Sequence, residues 1–256
     1  MASKGFGKTR SMTDGSIVGH IIMFSLPLMF GNIFQMLYNT VDSIVVGNFV
    51  GKQALAAVGS TTMIVNMLVF FFNGFSVGAG VIISRFFGAR DNQKLHTAIE
   101  TTMAVTFIFC AAFTLIGILG VRPMLKLMDT PEDVFEDAVT YLTIYFAGIT
   151  GLLIYNMGSG ILRAVGDTTR PLLFLVLTSV LNIALDLLFV LVFKAGIAGV
   201  AWATIISQMI SAVLTLILLT RAKDIYRLVW KDLRVDADTL KKIVAVGLPT
   251  GIQFVI

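Results

Sequence analysis

The sequence predicts an all-α integral membrane protein built around a bundle of six transmembrane helices. Of its 256 residues, 57% are hydrophobic and 13% are charged, against about 45–50% and about 25% in an ordinary soluble domain. The mean hydropathy is +0.90, and six apolar runs reach the roughly 20 residues that a helix needs to cross a bilayer. A soluble core could not bury this much apolar surface, whereas a bilayer accepts it.

The six runs follow one another with only short polar connections between them. Because a bilayer offers no partners to exposed backbone N–H and C=O groups, each run is predicted to be helical. The first two runs are longer than one span needs, so they can tilt or extend beyond the bilayer. The runs cover residues 17–50, 55–87, 96–121, 134–162, 171–193 and 197–220.

Four parts are predicted along the chain. They are an N-terminal segment (1–16), the six-helix lobe (17–220), a charged linker (221–242) and the start of a seventh helix (243–256). The linker carries Tyr226 and Trp230 among its charges, a pattern typical of a helix that lies at the membrane interface.

The seventh run repeats the beginning of the first. Residues 243–249 read IVAVGLP and residues 21–27 read IIMFSLP, and at the same offset of 222 residues Asp236 falls on Asp14. A six-helix unit repeated in the same orientation is a known transporter plan, with the substrate held between the halves. We therefore interpret the chain as a first lobe followed by the opening of a second, and we expect the seventh helix to pack loosely.

Basic residues predict which way the lobe faces. Of the 19 Lys and Arg residues, 15 fall on the side of the N-terminus and 4 on the opposite side. Since cytoplasmic loops carry the excess of Lys and Arg, the N-terminus is predicted to be cytoplasmic, with the lobe in the plasma (inner) membrane. The four residues on the outer side are Lys52, Arg122, Lys126 and Lys194.

Several classes of function are excluded by the sequence. The net charge of +4 comes from basic residues in short loops, not from one polar face, so nucleic acid is not expected as a partner. Cys110 and two distant histidines give neither an internal disulfide nor a credible metal site. Without a nucleophile elbow, a zinc signature or a dinucleotide loop, neither an enzyme nor a cofactor is expected.

Two carboxylates stand well inside the apolar runs, Asp42 in the first and Asp186 in the fifth. An ionised Asp at the bilayer centre costs about 2.5–3.5 kcal/mol on insertion scales, so such residues usually face water or a partner. Asp42 lies nine residues before Gly51, and Asp186 lies eight before Lys194. At 1.5 Å per residue both are about 12–14 Å from the outer ends of their helices, which predicts that they share one depth.

Polar residues at helical spacing line four of the runs, and on two runs the stripe ends at an acid. Residues three or four positions apart share one face of a helix, so these stripes predict a hydrated cavity inside the bundle. For the Ser and Thr positions, hydrogen bonding between helices remains an open alternative. The stripes are Gln35, Tyr38 and Asp42; Tyr141, Tyr145 and Asn156; Thr178, Asn182 and Asp186; and Thr204, Ser207, Gln208 and Ser211.

The acids also indicate ion coupling. Repulsion between two carboxylates in a poorly hydrated pocket is relieved by a bound proton or by a hard cation such as Na⁺ held by Asp, Asn and Thr oxygens. No Arg or Lys is expected deep in any run, which favours a cationic or neutral cargo. Pro27 removes one backbone hydrogen bond from the first helix and permits a kink, either as packing geometry or as a hinge.

Three motifs, in this order and spacing, carry a resemblance to a known family. They are YNTVD at 38–42 followed by VG at 46–47 and ALAAV at 54–58, then GILRAVGDTTRP at 160–171, then NIALD at 182–186. Over essentially its whole length the chain resembles the multidrug and toxic compound extrusion family, and its DNA-damage-inducible branch in particular. The resemblance implies twelve helices in two like-oriented lobes, of which this chain holds the first.

That resemblance also implies roles for individual residues. The cation-coupling cluster would be Asp42, Asn182, Asp186 and Thr204, with Tyr141 adjacent, and it would be the only place for a metal ion, as Na⁺. Gln35, Tyr38 and Asn156 would face the substrate cavity, and Pro27 would be the hinge. The implied activity is antiport of amphipathic organic cations or similar small molecules against H⁺ or Na⁺, within the lipid bilayer and together with the missing second lobe.

One rival function stays open in the sequence. A flippase-like transporter of the same superfamily would move lipid-linked precursors without such coupling. Its cavity would favour several Arg residues for phosphate, and the sequence predicts none there.

Overall fold

The structure, a computed structural model, describes residues 17–222 and 224–255. Within these residues helices are the only regular secondary structure and no strand occurs, which confirms the predicted fold class. The N-terminal segment 1–16 lies outside the described residues. The helices are α1 (Ile17–Val45), α2 (Lys52–Gly88), α3 (Asn92–Leu127), α4 (Glu132–Ala147), α5 (Ile149–Ala164), α6 (Thr169–Leu187), α7 (Gly196–Arg221) and α8 (Ala237–Val255).

Each of the six predicted runs corresponds to one helix or to two consecutive ones. The first run is α1 continued by a π-helical turn at Val46–Val50, and the fifth is α6 continued by a π-helical turn at Leu188–Val192. Within the described part of the chain, α2, α3, α7 and α6 with its π turn are each long and apolar enough to cross a membrane. The bent pair α4 and α5 forms a fifth span if it counts as one.

The fourth predicted run is broken. Its helices α4 and α5 meet at an angle of 49°, with Gly148 between them. A side chain at Gly148 would collide with Ile205 of α7. The bend therefore sits where α7 touches the backbone, a long-range contact that the hydropathy of the run does not reveal.

Short turns join the helices, so consecutive spans run antiparallel. We call the side with the turns 89–91 and 165–168 the linker end, and the side with both π turns the far end. Gly51 connects the first π turn to α2 with a φ of 125°, a conformation that side-chain-bearing residues rarely adopt.

Small residues fix α5 at the centre of the lobe, where it packs against α2, α3 and α7. A Cβ at Gly158 would collide with Thr215 of α7, and one at Gly160 would collide with the Ser76 hydroxyl of α2. The Ser76 hydroxyl donates a hydrogen bond to the Asn156 carbonyl at 3.0 Å. These close contacts hold the polar face of α5 in a fixed direction.

The linker is not the interfacial helix that its sequence suggested. Residues 222 and 224–236 form turns and extended backbone, with one 3₁₀ turn at Trp230–Asp232. The backbone N–H of Leu228 donates to the Leu219 carbonyl at 3.0 Å, and Tyr226 and Leu228 are each 1% exposed. Docking against the lobe thus satisfies groups that a helix would otherwise have paired internally.

The last helix, α8, packs tightly against α2, contrary to the expectation of loose packing. Its described part is helical throughout, as predicted, and it includes Pro249. A Cβ at Gly74 would collide with the Gly251 backbone, and one at Gly78 with the Gly247 backbone. The prediction of loose packing is wrong because two pairs of glycines, each four residues apart, let the helix backbones touch.

Candidate ion and substrate site

The two acids inside the apolar runs meet, as their equal depth predicted. The carboxyl groups of Asp42 on α1 and Asp186 on α6 lie within hydrogen-bonding range of each other. Asp186 is fully buried, at 0% exposure. The Oδ1 atom of each acid has no hydrogen-bond partner among the described residues, so both retain acceptor capacity. Two carboxyl groups this close repel each other unless a proton or a cation lies between them.

Asn182 links the acid pair to α7. With its amide oriented to suit its neighbours, its nitrogen donates to Asp186 Oδ2 at 3.1 Å and its oxygen accepts from the Thr204 backbone N–H at 3.3 Å. The Thr204 hydroxyl donates to the Val200 carbonyl at 3.0 Å and lies within hydrogen-bonding range of the Tyr38 hydroxyl. Amide and hydroxyl oxygens thus stand beside the carboxylates.

Tyr141 completes this cluster from α4. It is 6% exposed and lies within electrostatic range of both Asp42 and Asp186. Its ring stacks on Tyr145 with 6.3 Å between centroids. The structure therefore brings together all five residues predicted for cation coupling. Within the described residues, no group of three or more His, Cys, Asp or Glu side chains is placed to hold a metal ion, so a cation would depend on two carboxylates together with amide and hydroxyl oxygens.

Both acids precede a π-helical turn. Asp42 lies four residues before the turn at Val46–Val50, and Asp186 lies two residues before the turn at Leu188–Val192. The two π turns also contact each other at the far end. Single π turns inside helices are frequent at functional sites. The sequence reasoning missed them because neither turn carries a local sequence signature.

A cavity of about 210 Å³ runs from this cluster toward the linker end. Gln35, Tyr38 and Asn156 all line it, as predicted for a substrate cavity, and Pro27 lines it nearer the linker end. The polar stripe of α7 also lines the wall, where the Ser211 hydroxyl donates to the Thr178 hydroxyl at 2.8 Å.

Among the described residues that line the cavity, Arg163 is the one basic residue, and the sequence reasoning missed it. Asn32, Asn73, Tyr155 and Ser159 also line the cavity and were not predicted. The end of the fourth apolar run at residue 162 predicts a loop position for Arg163, but this residue lies in the last turn of α5 and lines the cavity together with Ser159 and Thr168. The expectation that no basic residue reaches the cavity is therefore wrong. A signal was available, since Tyr155, Ser159 and Arg163 are spaced by four residues on one helix face.

The sequence around this site matches a known family. The MatE family profile covers residues 27–188, a range that holds both acids and more than half of the chain. The chain belongs to the MatE family. Its relatives include proteins named for multidrug resistance.

Relatives and solved structures agree on the MATE assignment. The chain is 32% identical over 249 residues to the probable multidrug resistance protein YpnP of Bacillus subtilis. This match covers 97% of the chain and 56% of YpnP. It is similar to the structure of a MOP superfamily transporter from Pyrococcus furiosus, with a TM-score of 0.85, 30% identity and coverage of 92% and 52% of the two chains. An outward-facing multidrug resistance MATE transporter gives a TM-score of 0.86, 29% identity and coverage of 92% and 52%.

The chain thus spans about half the length of the relatives that it matches. This proportion is consistent with one six-helix lobe of a two-lobe transporter. It agrees with the repeat seen in the sequence, even though α8 packs more tightly than that repeat led us to expect.

Proposed function

We propose that this MATE chain is the ion-coupling, cargo-binding lobe of a secondary active multidrug exporter. The protein would exchange amphipathic organic compounds for H⁺ or Na⁺ across the plasma (inner) membrane. The observation that carries the proposal is the contact between Asp42 and Asp186, because each keeps a buried carboxylate oxygen that has no hydrogen-bond partner within residues 17–222 and 224–255. A proton or a Na⁺ ion relieves the repulsion, which makes the state of the pair depend on the ion gradient.

The neighbouring residues have separate roles in this proposal. Asn182, Thr204 and Tyr141 would supply oxygens and hydrogen bonds around the ion. Gln35, Tyr38 and Asn156 would contact the cargo. Asp42 lies on the same helix as Pro27, so a change at the acid pair can be transmitted along α1 to the cavity wall, with Pro27 as the hinge.

Efflux from proteoliposomes containing the protein tests this proposal. With an imposed Na⁺ or proton gradient, Asp42→Asn should abolish gradient-driven dye export while dye binding persists, because an amide mimics the neutralised acid. Asp186→Asn should behave alike, and the double variant should be little worse than either single one, since both remove the same step. Asp133→Asn, an exposed acid on α4, is the matched control and should export normally. Export by Asp42→Asn at the parent rate would show that the pair is only structural.

The orientation is a separate part of the proposal. The excess of Lys and Arg at the linker end supports a cytoplasmic linker end and a cytoplasmic N-terminus. Single-cysteine variants at Lys126 and Lys194 should react with a membrane-impermeant thiol reagent added outside intact cells. Labelling that occurs only after the cells are opened would contradict this orientation.

A further inference from the structure

The linker end of the cavity carries a positive charge that the ion-coupling proposal does not use. Arg163 is half-buried and lines the same cavity as Gln35 and Tyr38. Helical side chains lean toward the N-terminus of their own helix, so the guanidinium of this last-turn residue leans back over α5 toward the cavity.

The charge of Arg163 has no acidic partner in the described part of the chain. The salt bridges found there join Lys94 to Asp91, Arg122 to Glu136 and Arg170 to Asp167. The acid nearest to Arg163 along the chain, Asp167, lies with its Oδ2 atom 3.4 Å from Arg170 Nε. A partly buried cation without an anion is unfavourable, so a bound anion would stabilise this site.

Hydroxyl-bearing residues line the cavity together with Arg163. Ser159, at 2% exposure, lies close to the Tyr155 hydroxyl, but its own oxygen has no partner that meets hydrogen-bond geometry among the described residues. The Tyr155 hydroxyl donates to the Pro171 carbonyl at 3.0 Å. Thr168, at 6% exposure, also lines this end. An oxyanion placed here would meet a guanidinium and hydroxyl donors together.

The cavity therefore has a basic end and an acidic end. Thr168 lines the first, and Asn182, which contacts Asp186, lines the second. These residues are 14 positions apart, or about 21 Å along a helix at 1.5 Å per residue. Such a gradient of charge orients a ligand that carries both signs.

We propose that Arg163 binds a carboxylate of the cargo, so that the cavity selects amphoteric compounds. The carboxylate lies at Arg163, and the apolar or cationic part points toward Tyr38 and Asn182. A guanidinium fork matches the two oxygens of a carboxylate, which is why we assign this class of anion. The inference rests on the proposed export function, because it assumes that this cavity holds the cargo.

A matched pair of dyes tests the carboxylate directly. The protein in nanodiscs of zwitterionic lipid is titrated with a rhodamine that has a free carboxylate and with its methyl ester. The parent should bind the carboxylate dye more tightly. Arg163→Gln should weaken binding of the carboxylate dye by about 10- to 100-fold, the usual range for a lost hydrogen bond to a charged group. Binding of the methyl ester should not change. Arg163→Lys should recover part of the preference, since it keeps the charge without the fork.

A control variant and a lipid arm separate the alternatives. Arg221→Gln, an exposed arginine at the same end, should leave both dyes unaffected. The inference would be overturned if Arg163→Gln weakened the binding of both dyes equally, or if the parent bound both dyes equally tightly. Either result would leave the export proposal intact. If neither dye binds, the cargo cavity and this inference fall together. If added anionic lipid displaces the carboxylate dye only when Arg163 is present, the site binds a lipid headgroup and the cargo assignment is wrong.

Discussion

Replacing Gly78 with alanine tests how closely α8 is held by α2. The new Cβ would overlap the Gly247 backbone and lie 2.8 Å from the Ile243 carbonyl oxygen. Non-bonded heavy atoms settle at about 3.5–4.0 Å, so the two helices must separate by roughly 1 Å. Because both obstacles are backbone atoms, no side-chain rotation can relieve the overlap.

The expected size of the effect combines two terms. Over-packing costs about 1–3 kcal/mol, and the change from Gly to Ala in a helix interior gains about 0.8–1.0 kcal/mol. Gly78→Ala should therefore destabilise the α2–α8 contact by up to about 2 kcal/mol. In hydrogen exchange of the purified protein, amides of α8 should then exchange up to about 30-fold faster in the helix-opening regime.

Gly59→Ala is the matched control, because it lies on the same helix and a Cβ there has no heavy atom within 4 Å. This variant should gain only the stability that alanine has over glycine inside a helix. Amide hydrogen exchange in α8 should therefore not become faster. If Gly78→Ala leaves the exchange of α8 at the level of Gly59→Ala, the close backbone contact is absent in solution and the argument fails.

Three further predictions concern the linker and the far end. Asp236 is the N-terminal cap of α8, and hydrogen bonds from the Thr239 side chain and backbone hold its pKa below the usual range. The cap therefore stabilises the helix fully above about pH 3.9. This stabilisation is lost as the pH falls through the lowered pKa of the folded state. Asp236→Ala should speed amide hydrogen exchange in the first turn of α8 at pH 7. Asp236→Asn should not, because Asn also caps helices. Equal exchange rates in the two variants would contradict the capping role. Leu228→Ala, at a side chain that is 1% exposed, should destabilise the docked linker by about 2–5 kcal/mol and speed tryptic cleavage there; unchanged cleavage would mean that the linker is not docked. Arg122 and Glu136 form an exposed ion pair with two hydrogen bonds of 3.0 and 2.9 Å. This pair should contribute less than about 1 kcal/mol to the free energy of unfolding. A larger coupling energy in a double-mutant cycle, measured by thermal unfolding, would refute this prediction.

The sequence predicted the acid pair because helix geometry is regular. A constant rise per residue converts the distances of Asp42 and Asp186 from their helix ends into depth, and spacings of three and four residues identify the shared faces. The same spacing placed Asn182 on the face of Asp186, and the family resemblance implied that Thr204 would lie near the pair. Where local periodicity determines position, the prediction was correct.

The parts that the sequence did not reveal depend on contacts between distant segments. The docking of Tyr226 and the closeness of Gly247 to Gly78 require knowledge of which surfaces meet, and no local pattern supplies it. The charge of Arg163 predicts a loop position at the surface, and that prediction is wrong. A long side chain at a helix end can lean back along the helix while its Cα stays near the boundary, so charge alone does not give depth.

The glycines of α2 also have a mechanical consequence. Most packed helices touch through side chains, which can change rotamer and so absorb part of a small displacement. At Gly74 and Gly78 backbone rests on backbone, and on the α5 side only the Ser76 hydroxyl separates α2 from Gly160. With so little compressible material at these contacts, α2 has little room to absorb a shift of α8, and such a shift is expected to move the cavity wall on α5 as well.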